Sequence, residues 1–210
     1  MIRYFARPMP LVLLLAFASA IPVVSASFLV VQVPAGLLPE DSLRLGAAPL
    51  SIWLHSLAGV LFGVLGPLQF ARALRARFGV LHRLSGRVFV VAGMVLGLSG
   101  LSLVVRLDSP STLLLDIVRA TFGAALIVTL VLGVRAPRAR NMAMHRACMI
   151  RAYAIGMGGP TVALVMFPIY LAGGPVTGLA SDLVFVGWWL VTIGIGEWII
   201  ILNRQKQTYP

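Results

Sequence analysis

"LHSLAGVLFGVLGPLQFARALRARFGVLHRLSGRVFV" (Leu54–Val90) carries the pattern that decides the fold. From Leu54 to Phe70 its only titratable side chain is His55. Arg72, Arg75, Arg77, Arg83 and Arg87 then follow in quick succession, and beyond Arg87 the chain is apolar again to Val105. Hydrocarbon offers no hydrogen bonds, so an apolar segment that crosses a bilayer satisfies its own backbone as a helix. About twenty residues span a core of about 30 Å. An apolar block, a cationic cluster and a second apolar block therefore read as two membrane helices joined by a basic turn.

Outward from this stretch the same texture repeats. Six apolar blocks are read: Pro10–Val31, Leu50–Leu74, Val88–Val105, Leu113–Val134, Cys148–Leu171 and Leu183–Leu202. Of the 210 residues 60% are hydrophobic and 11% charged, with a mean hydropathy of +0.99. A soluble domain carries roughly 25% charged residues. The expected fold is all-α: a polytopic membrane helical bundle of six transmembrane helices, forming one integral membrane domain over residues 1–210. The N-terminal "MIRYFARPMPLVLLLAFASA" has the plan of a signal peptide, but its apolar run continues through "IPVVSASFLVV". That length reads as an uncleaved first helix.

The net charge of +11 is distributed by side. Arg3 and Arg7 precede the first span. Arg72 to Arg87 surround the second connection, and Arg135, Arg138, Arg140, Arg146 and Arg151 the fourth. Arg204 and Lys206 follow the last span. The other connections hold Glu40, Asp41, Arg44, Arg106, Asp108 and Asp182. Alternation of this kind is the positive-inside pattern, and it places both termini in the cytoplasm. The expected partner of these arginines is the lipid bilayer with its anionic headgroups, not nucleic acid. The single cysteine, Cys148, excludes an intramolecular disulfide framework and reads as a small packing residue.

One phrase occurs twice. "RARFGVLHR" (Arg75–Arg83) and "RARNMAMHR" (Arg138–Arg146) share Arg-x-Arg-x-x-x-x-His-Arg at an offset of 63, and Arg87 and Arg151 recur at an offset of 64. Spans two–three and four–five are accordingly read as a two-hairpin pseudo-repeat of the parallel kind. Gly59-x-x-x-Gly63 and Gly93-x-x-x-Gly97 are spacings at which helices pack closely. Trp53 and Trp198 suit the interfacial aromatic belts.

Ionisable residues within membrane spans are candidate functional positions. His55, Asp116 and Arg119 form an outer group, with Asp116 and Arg119 spaced to pair along one helix face. His82, His145 and Glu197 form an inner group ringed by arginines. Neutral imidazole is a transition-metal ligand, so His82 and His145 are candidate metal or haem b ligands. Arg83 and Arg151 are candidate cofactor-binding residues, because guanidinium pairs with carboxylates such as haem propionates. The opposing reading gives both histidines a structural or lipid-contact role. No phosphate loop, His-Glu-x-x-His, Cys-x-x-Cys or Gly-x-Ser-x-Gly motif is present, and six acidic residues offer no hydrolytic carboxylate dyad. No catalytic residue is assigned.

The ordered set His55, Gly66, Pro67, Gln69, Phe70, then His82, Arg83, Gly86, Arg87, then His145, Arg146, Met149, Arg151 resembles domain-of-unknown-function family 2306, predicted bacterial multi-span membrane proteins. The likeness covers roughly Leu50 to Ile155. The chain departs from the family pattern at Cys148, where a tryptophan is usual, and lacks an arginine near the end of the following helix. The resemblance implies a bacterial inner-membrane protein and no established activity. Three alternatives stay open: a small haem-binding or membrane redox protein, a non-catalytic accessory or assembly subunit of a larger membrane complex, and a transporter or sensor.

Overall fold

The computed structural model describes residues 9–38, 40–107 and 112–208. Arg3, Arg7 and Asp108, three of the charges used above to orient the chain, lie outside the described residues. Among those residues every regular element is helical: α1 (Met9–Ala35), a 3-10 turn (Glu40–Ala47), α2 (Pro49–Phe70), α3 (Arg72–Arg77), α4 (Gly79–Arg106), α5 (Leu113–Arg135), α6 (Met142–Thr161), α7 (Ala163–Gly173) and α8 (Gly178–Thr208). Among the described residues six stretches are long and apolar enough to cross a membrane: Val12–Ala35, Pro49–Phe70, Gly79–Arg106, Leu113–Arg135, Met142–Gly173 and Gly178–Gln205.

The observed helices overrun the apolar blocks where the sequence is basic. The third span starts at Gly79 rather than Val88 and the fifth at Met142 rather than Cys148. Arginine is a good helix former, so hydropathy marks where the chain enters lipid and not where the helix begins. The fifth span is also interrupted. Pro160 lies in the last turn of α6, and Val162 separates α6 from α7. Proline removes one backbone donor and crowds the carbonyl four residues earlier, which accounts for a break at this place.

The chain divides into two compact units, Met1–Leu96 and Gly97–Pro210, with the division inside α4. In the first, the Trp53 indole N–H on α2 donates to the Val30 carbonyl of α1 at 3.2 Å. Helices α2 and α4 close on a stacked pair, Phe62 and Phe89, with ring centroids 4.3 Å apart and exposures of 0% and 1%. Stacked aromatics add about 0.5–1.5 kcal/mol beyond their buried area.

In the second unit, α4 and α5 approach backbone to backbone. A Cβ added at Gly97 would stand 3.2 Å from the Gly123 carbonyl and 2.8 Å from Ile127 Cγ1. Helices α6 and α8 meet over Trp189, whose indole N–H donates to the Ile155 carbonyl at 2.7 Å. Its ring tilts against Phe122 of α5 at 4.8 Å. Gly158 leaves no room for a side chain beneath Trp189. The neighbouring Trp188 indole donates to Thr161 Oγ1 at 3.0 Å.

Candidate functional site

The doubled phrase has a structural counterpart. Helices α4 and α6 begin at Gly79 and Met142, the same offset of 63, so His82 and His145 are each the fourth residue of their helix. The backbone N–H of His82 donates to the Phe78 carbonyl at 3.0 Å, and that of His145 to the Asn141 carbonyl at 3.1 Å. The next residues match as well. Arg146 Nε donates back to the Met142 carbonyl at 3.3 Å. Arg83 lies back over its own first turn, with a guanidinium nitrogen 3.5 Å from where a Gly79 Cβ would stand. The entries to the helices differ. "RALRAR" forms the short helix α3, whereas the "RAPRAR" stretch (Arg135–Arg140) ends α5 and then turns, with Arg140 in the left-handed region at φ 55°. Asn141 Oδ1 caps α6 by accepting from the Met144 N–H at 2.9 Å.

His145 is half-buried against α5. Its Nδ1 lies 2.7 Å from the Gly133 carbonyl. A carbonyl only accepts, so Nδ1 carries the proton, and in the neutral ring the lone pair is on Nε2. Gly133 makes this approach possible. A Cβ there would overlap the Met149 terminal methyl and stand 3.0 Å from Cys148 Cβ. In the first hairpin the bulk is distributed the other way. Gln69 on α2 donates from Nε2 to Ser85 Oγ at 2.8 Å, and its Oε1 stands 3.0 Å from where a Cβ of Gly86 would be. Ser85 and Gly86 correspond, at the offset of 63, to Cys148 and Met149. Gly86 thus makes room for Gln69 in one hairpin, and Gly133 makes room for Met149 in the other.

Arg151 on α6 and Glu197 on α8 form a bidentate ion pair, Nε to Oε1 at 2.5 Å and Nη2 to Oε2 at 2.7 Å. Its side chains are about one-third exposed, 35% and 39%. Asp116 and Arg119 pair along one helix face at 3.3 Å. His55 on α2 hydrogen-bonds the backbone of Leu96 on α4. That ties the two helices of the first hairpin near the level of Gly59, where a Cβ would meet Leu96 at 3.8 Å.

One buried group escaped the sequence reading. Asp182, 2% exposed, accepts from the Thr112 N–H at 2.6 Å. Thr112 is the N-cap of α5 but makes no side-chain cap itself. The Asp182 carboxylate therefore caps a helix 70 residues away in sequence, where its charge also favours the positive end of the helix dipole. The sequence reading put Asp182 in the connection before the last span, whereas it lies inside α8; its partner is a backbone group, which no side-chain motif records. Among the described residues no three His, Cys, Asp or Glu side chains converge as a metal site.

These features define an all-α integral membrane protein with six apolar spans among the described residues and polar pairings on its helices. The pattern of the family described as "Predicted membrane protein (DUF2306)" matches residues 52–200. The chain belongs to that family. No curated protein and no solved structure matches it.

Proposed function

We propose that this is a small haem-binding membrane protein in which His145 would supply a ligand to haem b. The single observation behind the reading is the 2.7 Å bond from His145 Nδ1 to the Gly133 carbonyl. Ligating histidines typically donate their second ring N–H to a carbonyl or carboxylate, which sets the tautomer and directs the other nitrogen to the metal. His82 is likewise the fourth residue of its helix, and it is proposed as a haem ligand on that correspondence alone. A bound haem would supply one-electron chemistry. Of the two arginines considered for its propionates, Arg83 is exposed, whereas Arg151 already holds the Glu197 carboxylate and would have to exchange it. The proposed location is a bacterial inner membrane, with both termini cytoplasmic.

The test is an optical spectrum of protein purified in mild detergent after expression with ample haem, oxidised and then reduced with dithionite. The expected result is a Soret band and a sharp reduced α band, lost in His145→Ala and in His82→Ala. Haem content per chain is read as the pyridine haemochrome. A featureless visible spectrum would refute the haem reading.

The accessory-subunit alternative has an observation of its own. Gly187 and Gly194 are seven residues apart on α8, and a Cβ at either would meet nothing within 4 Å. This is an open small-residue face of the kind on which membrane helices associate. If it docks a partner complex, Gly187→Leu with Gly194→Leu abolishes native co-purification and leaves the monomer folded.

A further inference from the structure

The two hairpins differ in what they give the arginine they share. Arg151 on α6 holds the Glu197 carboxylate of α8. Its counterpart at the offset of 64, Arg87 on α4, is exposed and has no carboxylate partner among the described residues. Arg83, one turn earlier, is exposed as well. The first unit has no acidic residue to offer them: Glu40 and Asp41 both precede α2, and from there to Asp108 the chain has none. The surface around the two arginines is specific. An α-helix repeats its faces every three to four residues, so Val80, Leu84, Arg87 and Val91 share one stripe, and all are exposed. Phe89 and Leu96, on the opposite face, are buried toward α2. Arg83 borders the stripe, about 6 Å before Arg87 along the axis at 1.5 Å per residue.

Depth and charge together name the occupant. Long side chains on a helix lean toward its N-terminus, and Arg83 does so over Gly79. The arginines thus stand where α4 enters the apolar block that begins at Val88, the level of lipid headgroups. A second copy lying alongside brings no carboxylate to that level. Asp116 and Glu197 are paired with arginines, and Asp182 is buried. Glu40, Asp41 and Asp108 belong to the connections before α2 and after α4, at the far ends of both helices. We infer that Arg83 and Arg87 hold the phosphate of one anionic phospholipid, whose acyl chain lies on Val88 and Val91. Guanidinium meets phosphate with two parallel hydrogen bonds, and basic residues beside a membrane span select anionic headgroups. The second hairpin has no such site, because Glu197 occupies the equivalent arginine. The inference needs neither histidine and stands apart from the haem reading.

Native mass spectrometry of the full chain in detergent tests this, with phosphatidylglycerol and phosphatidylcholine titrated separately. The expected result is one retained phosphatidylglycerol per chain, preferred over phosphatidylcholine by about tenfold. Arg83→Gln with Arg87→Gln should abolish the preference and leave helicity unchanged, since both side chains are exposed. Arg138→Gln with Arg140→Gln removes the same charge from the second basic turn and should keep the preference. Equal loss from both arginine pairs, or equal retention of the two lipids by the unaltered chain, would overturn the inference. Displacement of the lipid by millimolar inorganic phosphate would overturn the lipid as the source of the phosphate. A co-purifying protein lost in Arg83→Gln with Arg87→Gln, with lipid retention unchanged, would give the stripe to a partner helix instead.

Discussion

Asp182 shows how one side chain can be worth more than its surroundings suggest. Buried at the start of α8, it replaces the cap that Thr112 does not supply to α5. Loss of a helix N-cap costs about 0.5–2 kcal/mol, and a buried donor left unsatisfied costs about 1–3 kcal/mol. Asp182→Ala should therefore lower the thermal unfolding midpoint in detergent clearly, and Asp182→Asn, which keeps an acceptor oxygen, should recover most of the loss. Arg151 and Glu197 behave as a unit. Arg151→Met strands a carboxylate within a span, whereas the double variant Arg151→Met/Glu197→Met strands nothing. A fully buried pair broken on one side loses about 3–5 kcal/mol; partial exposure here sets the expectation below that. The double variant should be more stable than either single one, and equal midpoints in all three would contradict this account.

At the scale of elements, the two hairpins reach one helical register by different routes. The first enters α4 through a short arginine-rich helix, the second enters α6 through a turn that forces Arg140 to φ 55°. A left-handed conformation costs an ordinary residue roughly 1–2 kcal/mol relative to its right-handed one, and glycine adopts it freely. Arg140→Gly should raise stability by up to about 1 kcal/mol, measured as a higher midpoint with unchanged helicity. Gly97 is the opposite case. Its neighbours are the Gly123 backbone and Ile127, and backbone cannot yield as a side chain can. Gly97→Leu should separate α4 from α5 and lower the midpoint by more than the same change at Gly187, which faces open space.

For the whole molecule, orientation is the property that charge alone argues. If the arginine-rich connections are cytoplasmic, the cysteine in Gln205→Cys reacts with a membrane-impermeant maleimide only in inverted vesicles, and that in Leu43→Cys only in right-side-out ones. The reverse pattern would overturn the assignment. Cys148 is buried at 4% exposure, so it contributes little background.

The class of fold was legible because its cause is local and additive. Six apolar runs each require a helix, whatever their neighbours, since hydrocarbon leaves the backbone no other partner. The repeat was legible for a related reason: an identical offset in sequence became an identical offset in helix starts, at Gly79 and Met142. Pairing was not legible. Glu197 and Arg151 stood out as charges, but that they meet each other depends on how α6 crosses α8. Asp182 meeting the Thr112 backbone depends on two helix ends distant in sequence. Gly133 carried no signal at all until Met149, Cys148 and the His145 ring were packed around it. Hydrophobicity is a sum over residues and can be read along the chain. Hydrogen bonds and close packing require atoms within about 3 Å of one another, and only the tertiary structure decides which atoms those are.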